Sequence, residues 1–247
     1  MDKAFTLEIA VFSLQGALDA ALAGADRLEL CENAHDGGTT PSYGFLKTAK
    51  QLISIPIFPI IRPRGGSFVY SVAEFDIMKE DILVCKEFGY GGVVIGLLNK
   101  DGEIDIHRTQ ELVRLAGNME VTFHRAFDRC AQPQKALEQL IDCGCKRILT
   151  SGQYPSVVQG MDLLKALIEQ AKDRIIIMPG SGVNSSNIAL LAKHTQAKEF
   201  HTAARQAVTH SAEYSPSSMN ESLSYVGVNQ AEIVAIKNLL TIFLRKL

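Results

Sequence analysis

Polar residues able to move protons or hold anions sit in and just after short apolar runs of this sequence. Glu8 lies within TLEIAV, Glu29 and Cys31 within RLELC, and Arg62 and Arg64 follow FPII. His124, Arg125 and Asp128 follow EVTF, Thr150 and Ser151 end RILTS, and His201 and Thr202 end EFHT. Glu8, Glu29, His124 and Asp128 are the candidates for proton transfer, because carboxyls and imidazoles in unlike environments can serve as acid and base to one substrate. Arg62, Arg64, Arg125, Thr150, Ser151, Gly180, Gly182, His201 and Thr202 are the candidates for binding an anion. Gly180-Ser-Gly182 follows an apolar run and leads into a helix, whose exposed N–H groups and dipole favour negative charge. A plainer role stands beside each: the glycines also make tight turns, and Glu8, Glu29 and Arg62 also suit a buried structural ion network, with Arg62 as the counter-charge.

The elements that must position these residues recur with regular spacing. Eight β-branched or aliphatic runs, at 6–11, 27–31, 56–61, 92–96, 120–125, 147–152, 174–179 and 197–202, start 21 to 36 residues apart, room for a strand, a helix and two loops. Amphipathic helices are expected between them, including 14–23, 73–88, 106–115, 135–141, 161–171 and 187–194, the last capped by Asn184 or Ser185, with a final helix over 230–244. Eight such units without a linker predict one closed (β/α)8 barrel of the TIM type spanning 1–247. An open dinucleotide-binding sheet would need a glycine fingerprint in the first turn, which Phe12-Ser-Leu-Gln-Gly16 lacks. In a barrel, chemistry gathers at the C-terminal ends of the strands, where these candidates fall. Alternation turns Leu7, Ile9, Val11, Leu28 and Leu30 toward the helices and Glu8, Ala10, Glu29 and Cys31 inward. The Ser-rich stretch at about 205–228 breaks the pattern and is expected to be an irregular loop.

Composition narrows the class. With 25 Lys and Arg against 27 Asp and Glu, the net charge of −2 argues against a nucleic-acid binder or a membrane-surface protein. No apolar run approaches the ~20 residues needed to span a bilayer, and Glu8 interrupts the N-terminal run where a secretory leader would be apolar. The 5 cysteines lack a framework spacing and point to reduced thiols in the cytoplasm. Cys143-Gly-Cys145 reads as a turn rather than a metal clip, since no second pair accompanies it.

Five blocks, Arg27-Leu-Glu-Leu-Cys31, Gly37-Gly-Thr-Thr-Pro41-Ser, Ile61-Arg-Pro-Arg-Gly-Gly66, Val121-Thr-Phe-His-Arg-Ala-Phe-Asp128 and Arg147-Ile-Leu-Thr-Ser-Gly152, resemble the signature blocks of the CutC family of copper homeostasis proteins. Pro179-Gly-Ser-Gly182 and Glu199-Phe-His201 follow in matching order, so the resemblance spans essentially the whole chain. It implies a cytoplasmic barrel, often a homo-oligomer, assigned to copper handling. Copper(I) favours soft ligands, and Cys31 is the metal candidate, with His124, His201 or Met178 as possible companions. The sequence departs from the family at Ala10, at or beside which relatives often have Cys, and at Thr202, where some have Cys, so copper(I) binding is expected to be weak. The other reading is an enzyme or binding protein for a small anionic, sugar-like metabolite, phosphorylated or carboxylated.

Overall fold

The computed structural model describes residues 5–209, 214, 216, 218–219 and 222–244. Eight parallel strands alternate with helices: β1 (Thr6–Val11), α1 (Leu14–Leu22), β2 (Arg27–Leu30), α2 (Tyr43–Leu52), β3 (Ile57–Pro59), α3 (Val72–Glu87), β4 (Gly92–Ile95) and α4 (Ile106–Ala116). The second half continues with β5 (Glu120–Phe123), α5 (Pro133–Asp142), β6 (Arg147–Thr150), α6 (Met161–Ala171), β7 (Ile176–Pro179), α7 (Ile188–Thr195) and β8 (Glu199–Thr202). Hydrogen bonds join β3-β2-β1-β8 on one side and β4-β5-β6-β7 on the other. An Ile60–Val94 bridge links β3 to β4, and β7 packs beside β8. The fold is therefore the expected (β/α)8 barrel.

Strand parity is as the sequence alternation predicts. Leu7, Ile9, Val11, Leu28 and Leu30 are fully buried in the apolar layer beneath the helices, while Glu8 and Glu29, also buried, occupy the intervening positions. Alternate residues of a strand lie on opposite faces, so Glu8 and Glu29 enter the barrel's interior. The helices start where local chemistry satisfies their free N–H groups. Ser13 caps α1 and Asp105 caps α4, while Ser71 and Glu74 form a reciprocal capping box on α3.

Two expectations change. The 205–228 stretch is not irregular at its ends: β9 (Arg205–Thr209) and β10 (Ser224–Val228) pair as an antiparallel ribbon before α8 (Gln230–Leu244). Val208, Thr209, Tyr225, Val226 and Val228 suit a pleated surface, and Gly227 lets the strands close, since a Cβ there would lie 2.5 Å from Val208 Cγ2. Much of the intervening Ser-rich segment lies outside the described residues. The cap of α7 is Asn187, not Asn184 or Ser185. Asn184 instead folds back on Ser186, and Ser185 is engaged by Glu232 of α8, through its N–H at 2.5 Å and its hydroxyl at 2.9 Å. Among the described residues no helix is long and apolar enough to cross a membrane.

Candidate active site at the barrel mouth

A ladder of charge, partly exposed at the strand starts and buried above them, runs up the barrel's interior. Arg147 of β6 binds Glu199 of β8 (2.7 Å) and Glu120 of β5 (3.0 Å), and Arg27 of β2 reaches across to Glu199 (2.6 Å). Arg27 also donates from Nε to Glu8. Both guanidiniums lie against the ring of Phe58, at 5.1 and 5.5 Å. Arg27, and not Arg62, is thus the counter-charge of Glu8. Register explains the exchange: Glu8 is level with Arg27 on one side and with His201 on the other. Sequence reasoning missed Arg27, Arg147 and Glu199 as members of this network. The signal was present, since Arg27 precedes Glu29 and Glu199 precedes His201 by two residues, the spacing of one strand face.

Above this layer sit His201 and Glu29. His201 Nδ1 is 2.8 Å from Glu8, and its Nε2 is 3.7 Å from Glu29. Burial pushes the Glu8 carboxyl up, but Arg27, His201 and Arg147 together overcome it and hold the group well below the usual carboxylate range. Glu29 lacks so close a cation: burial lifts it to about 7, with the Glu8 charge adding to the rise against His201. Burial lowers His201, yet the bond to Glu8 and the charges of both glutamates carry it above the ordinary value. Two neighbouring carboxyls therefore differ strongly in proton affinity, as an acid–base site requires.

This pair opens on a cavity of about 1190 Å³ lined from the strand ends outward. Of the predicted residues, Glu29, Arg62, His124, Arg125, Asp128, Gly182, His201 and Thr202 line it, as do Phe12, Phe68 and Arg205. Glu8, Cys31, Arg64, Thr150, Ser151 and Gly180 are not in the lining. Glu8 lies beneath His201, and Gly180 packs so closely on Leu149 that a Cβ would come within 2.4 Å of its Cδ1.

Several predicted anion ligands are spent elsewhere. Asp128 accepts from Thr150 Oγ1 (2.5 Å), Ser151 Oγ (2.9 Å), the Gln153 N–H (3.2 Å) and Arg125 Nε (2.8 Å). Thr150 and Ser151 thus face Asp128 rather than a ligand, and Asp128, with its acceptors filled, braces the end of β6 instead of offering a free base. Arg64 bonds Glu74 and the carbonyls of Ser67 (2.9 Å) and Val69 (3.0 Å), fastening the β3–α3 loop to its helix. Thr202 Oγ1 donates to the Val183 carbonyl at 2.7 Å. At the turn into α7, the Glu232 carboxylate already takes the Ser185 donors, so a phosphate would meet a fixed negative charge there.

Copper would demand several ligands. Among the described residues no group of three or more His, Cys, Asp or Glu could hold a metal ion. Cys31 packs with Phe58, Ile60 and Val94, and burial, then Glu29 and Glu8, push its thiol up, away from the thiolate that binds metal. Met178 Sδ faces the Arg27 guanidinium at 3.4 Å. The residues present do not fit a resident copper ion.

Residues 5–206 match the sequence model of the CutC family. The chain belongs to the CutC family. A CutC family protein of Chromobacterium violaceum is 50% identical over 214 residues, covering 87% of this chain and 86% of the relative. The human copper homeostasis protein cutC homolog is 46% identical over 201 residues, 81% of this chain and 74% of its own length. The crystal structure of the putative copper homeostasis protein CutC from Streptococcus agalactiae superposes with a TM-score of 0.77 at 35% identity, over 81% of this chain and 98% of that one. The CutC match ends within β9, so β10 and α8, which carries Glu232, lie beyond it.

Proposed function

We propose that this chain serves copper homeostasis, as its relatives are named for, through a mouth cavity that binds and chemically processes a small anionic, hydroxylated metabolite. The observation carrying this reading is the Glu29–His201 pair: both residues line the cavity, they stand 3.7 Å apart, and Glu29 titrates at about 7, because burial is only partly offset by His201. A carboxyl in that range gives and takes protons near neutral pH. Glu8 sits behind His201 and orients it, while Arg62, buried in the lining, supplies positive charge. In this reading the chain works as a single cytoplasmic barrel, in a homo-oligomer.

Copper(I) enters the reading as cargo met weakly at Cys31, since Ala10 supplies no second thiolate. The test is a thermal-shift panel of phosphorylated and carboxylated metabolites on the purified protein, paired with metal quantified per chain. A true ligand at a hundredfold excess over its Kd adds ~2.7 kcal/mol of stability. A flat response across the panel, with stoichiometric copper retained, would replace this reading with metal carriage.

A further inference from the structure

His124 was expected to move protons, and the geometry gives it another task. Its Nδ1 accepts the Ala126 N–H at 3.0 Å, so in the neutral ring the proton resides on Nε2. Protonating Nδ1 would set one N–H against another, so the ring resists becoming an imidazolium. Burial, then the charge of Arg62, act in the same direction and draw its pKa down to about 3. The ring cannot readily turn over. A Cβ on Gly96 would fall 2.2 Å from its Cε1, and Phe68 and Phe123 pack on it at 5.0 and 6.1 Å between centroids.

The Nε2–H so defined is buried and has no hydrogen-bond partner, on a residue only 4% exposed that lines the cavity. An unsatisfied buried donor costs stability, which an arriving acceptor would recover. Beside it lies a second unmet demand. Arg62, also 4% exposed and lining the cavity, shares the Phe68 ring with His124, its guanidinium 5.1 Å from the ring centre. It spends its terminal nitrogens on the carbonyls of Asp36, Gly38 and Gly66. Among the described residues no carboxylate pairs with it. With its outer nitrogens held by carbonyls, this buried cation keeps an unpartnered Nε–H and supplies charge rather than a bidentate grip of its terminal fork.

We propose that His124, beside Arg62, receives a single carbonyl or carboxylate oxygen of a small organic acid, its neutral Nε2–H donating to that oxygen in the field of the guanidinium. This rests on the mouth being the working site and names what it takes. The His124 N–H, with the Arg62 cation and its one unpartnered Nε–H beside it, suits an oxygen of a carbonyl or carboxylate, whereas a phosphate calls for more donors, and those at the α7 turn face Glu232. Nε2 has no contact with solvent, so the side chains that cover it must yield as the oxygen arrives. Such a donor polarises a carbonyl without giving up its proton, leaving proton transfer to Glu29.

Oxalate and inorganic phosphate are the probes, each titrated into the whole protein near pH 7 while the His124 ring N–H is followed by NMR. Oxalate should bind and move that resonance downfield, and phosphate should leave it in place. Oxalate affinity should fall at least tenfold in His124→Phe and less in His124→Asn, which keeps an N–H. Oxalate that fails to bind, binds with the ring silent, or binds His124→Phe as tightly overturns the proposal, as does a phosphate shift equal to that of oxalate. The NMR arm uses wild type and so survives a variant that misfolds. If panel metabolites stabilise the protein while the ring stays silent, only this assignment falls. If nothing binds, the metabolite reading falls with it.

Discussion

His201 Nε2 lies 3.7 Å from the Glu29 carboxylate, while the opposite ring nitrogen is fixed by Glu8 at 2.8 Å. One imidazole thus joins a carboxylate that holds its charge to one that titrates. The difference arises below them: Arg27 bonds Glu8 directly, whereas Glu29, one pleat higher, feels it only weakly.

This difference sets a pH dependence of stability. Because burial raises Glu29 from 4.5 to about 7, the folded chain binds more protons than the unfolded chain across that interval, and stability falls as pH rises through it. His201 acts with the same sign: its raised pKa adds stability that is fully present below 6.5 and lost as pH climbs past the folded value. Glu8, held low, contributes stability above 4.5 that is lost in acid. Glu29→Gln should therefore gain on wild type by on the order of 2 kcal/mol between pH 5 and pH 8 in urea unfolding. A difference that stays constant with pH would show that Glu29 is not raised.

Removing Arg27 should be among the most damaging single changes. Its Nε serves Glu8, fully buried, and its Nη2 serves Glu199, partly buried, and breaking one partner of a buried set costs about 3–5 kcal/mol. Arg27→Met is expected to cost this much by chemical denaturation. Arg27→Lys should recover little, because a single ammonium cannot span both carboxylates as the fork does.

Gly96 should tolerate no side chain. Alanine there would push its Cβ into the His124 ring, and overpacking of this kind typically costs about 1–3 kcal/mol. The unfolding free energy of Gly96→Ala is one readout. The His124 ring N–H resonance is the other, and it should shift even without ligand because the ring must move.

Copper(I) should be surrendered readily. In competition with a tight copper(I) chelator the wild type is expected to retain no metal, and whatever weak uptake is seen without chelator should vanish in Cys31→Ser. Stoichiometric copper that persists in Cys31→Ser would place the ligands elsewhere, at Cys143 and Cys145 for example.

The barrel and the inward direction of Glu8, Glu29 and Cys31 were legible in the sequence by itself, because both are local. A strand's two faces alternate residue by residue, and Leu7, Ile9, Leu28 and Leu30 mark which face meets the helices. The expected helix ends fall within two residues of the observed ones for the same reason, while the expected cap of α7 fails because Glu232 from the far end of the chain takes the donors that Ser185 offered. What only the tertiary structure decided is the partner of each charge. Glu8 meets Arg27 and His201 because β1 is in register with β2 and β8 at those residues, and lateral register is set by closing the whole sheet, which no local pattern records. For the same reason Arg62, expected beside Glu8, sits among loop carbonyls. Asp128 gathers Thr150 and Ser151 to itself, and His124 keeps its proton on the nitrogen that faces no partner, because the Ala126 N–H occupies the other.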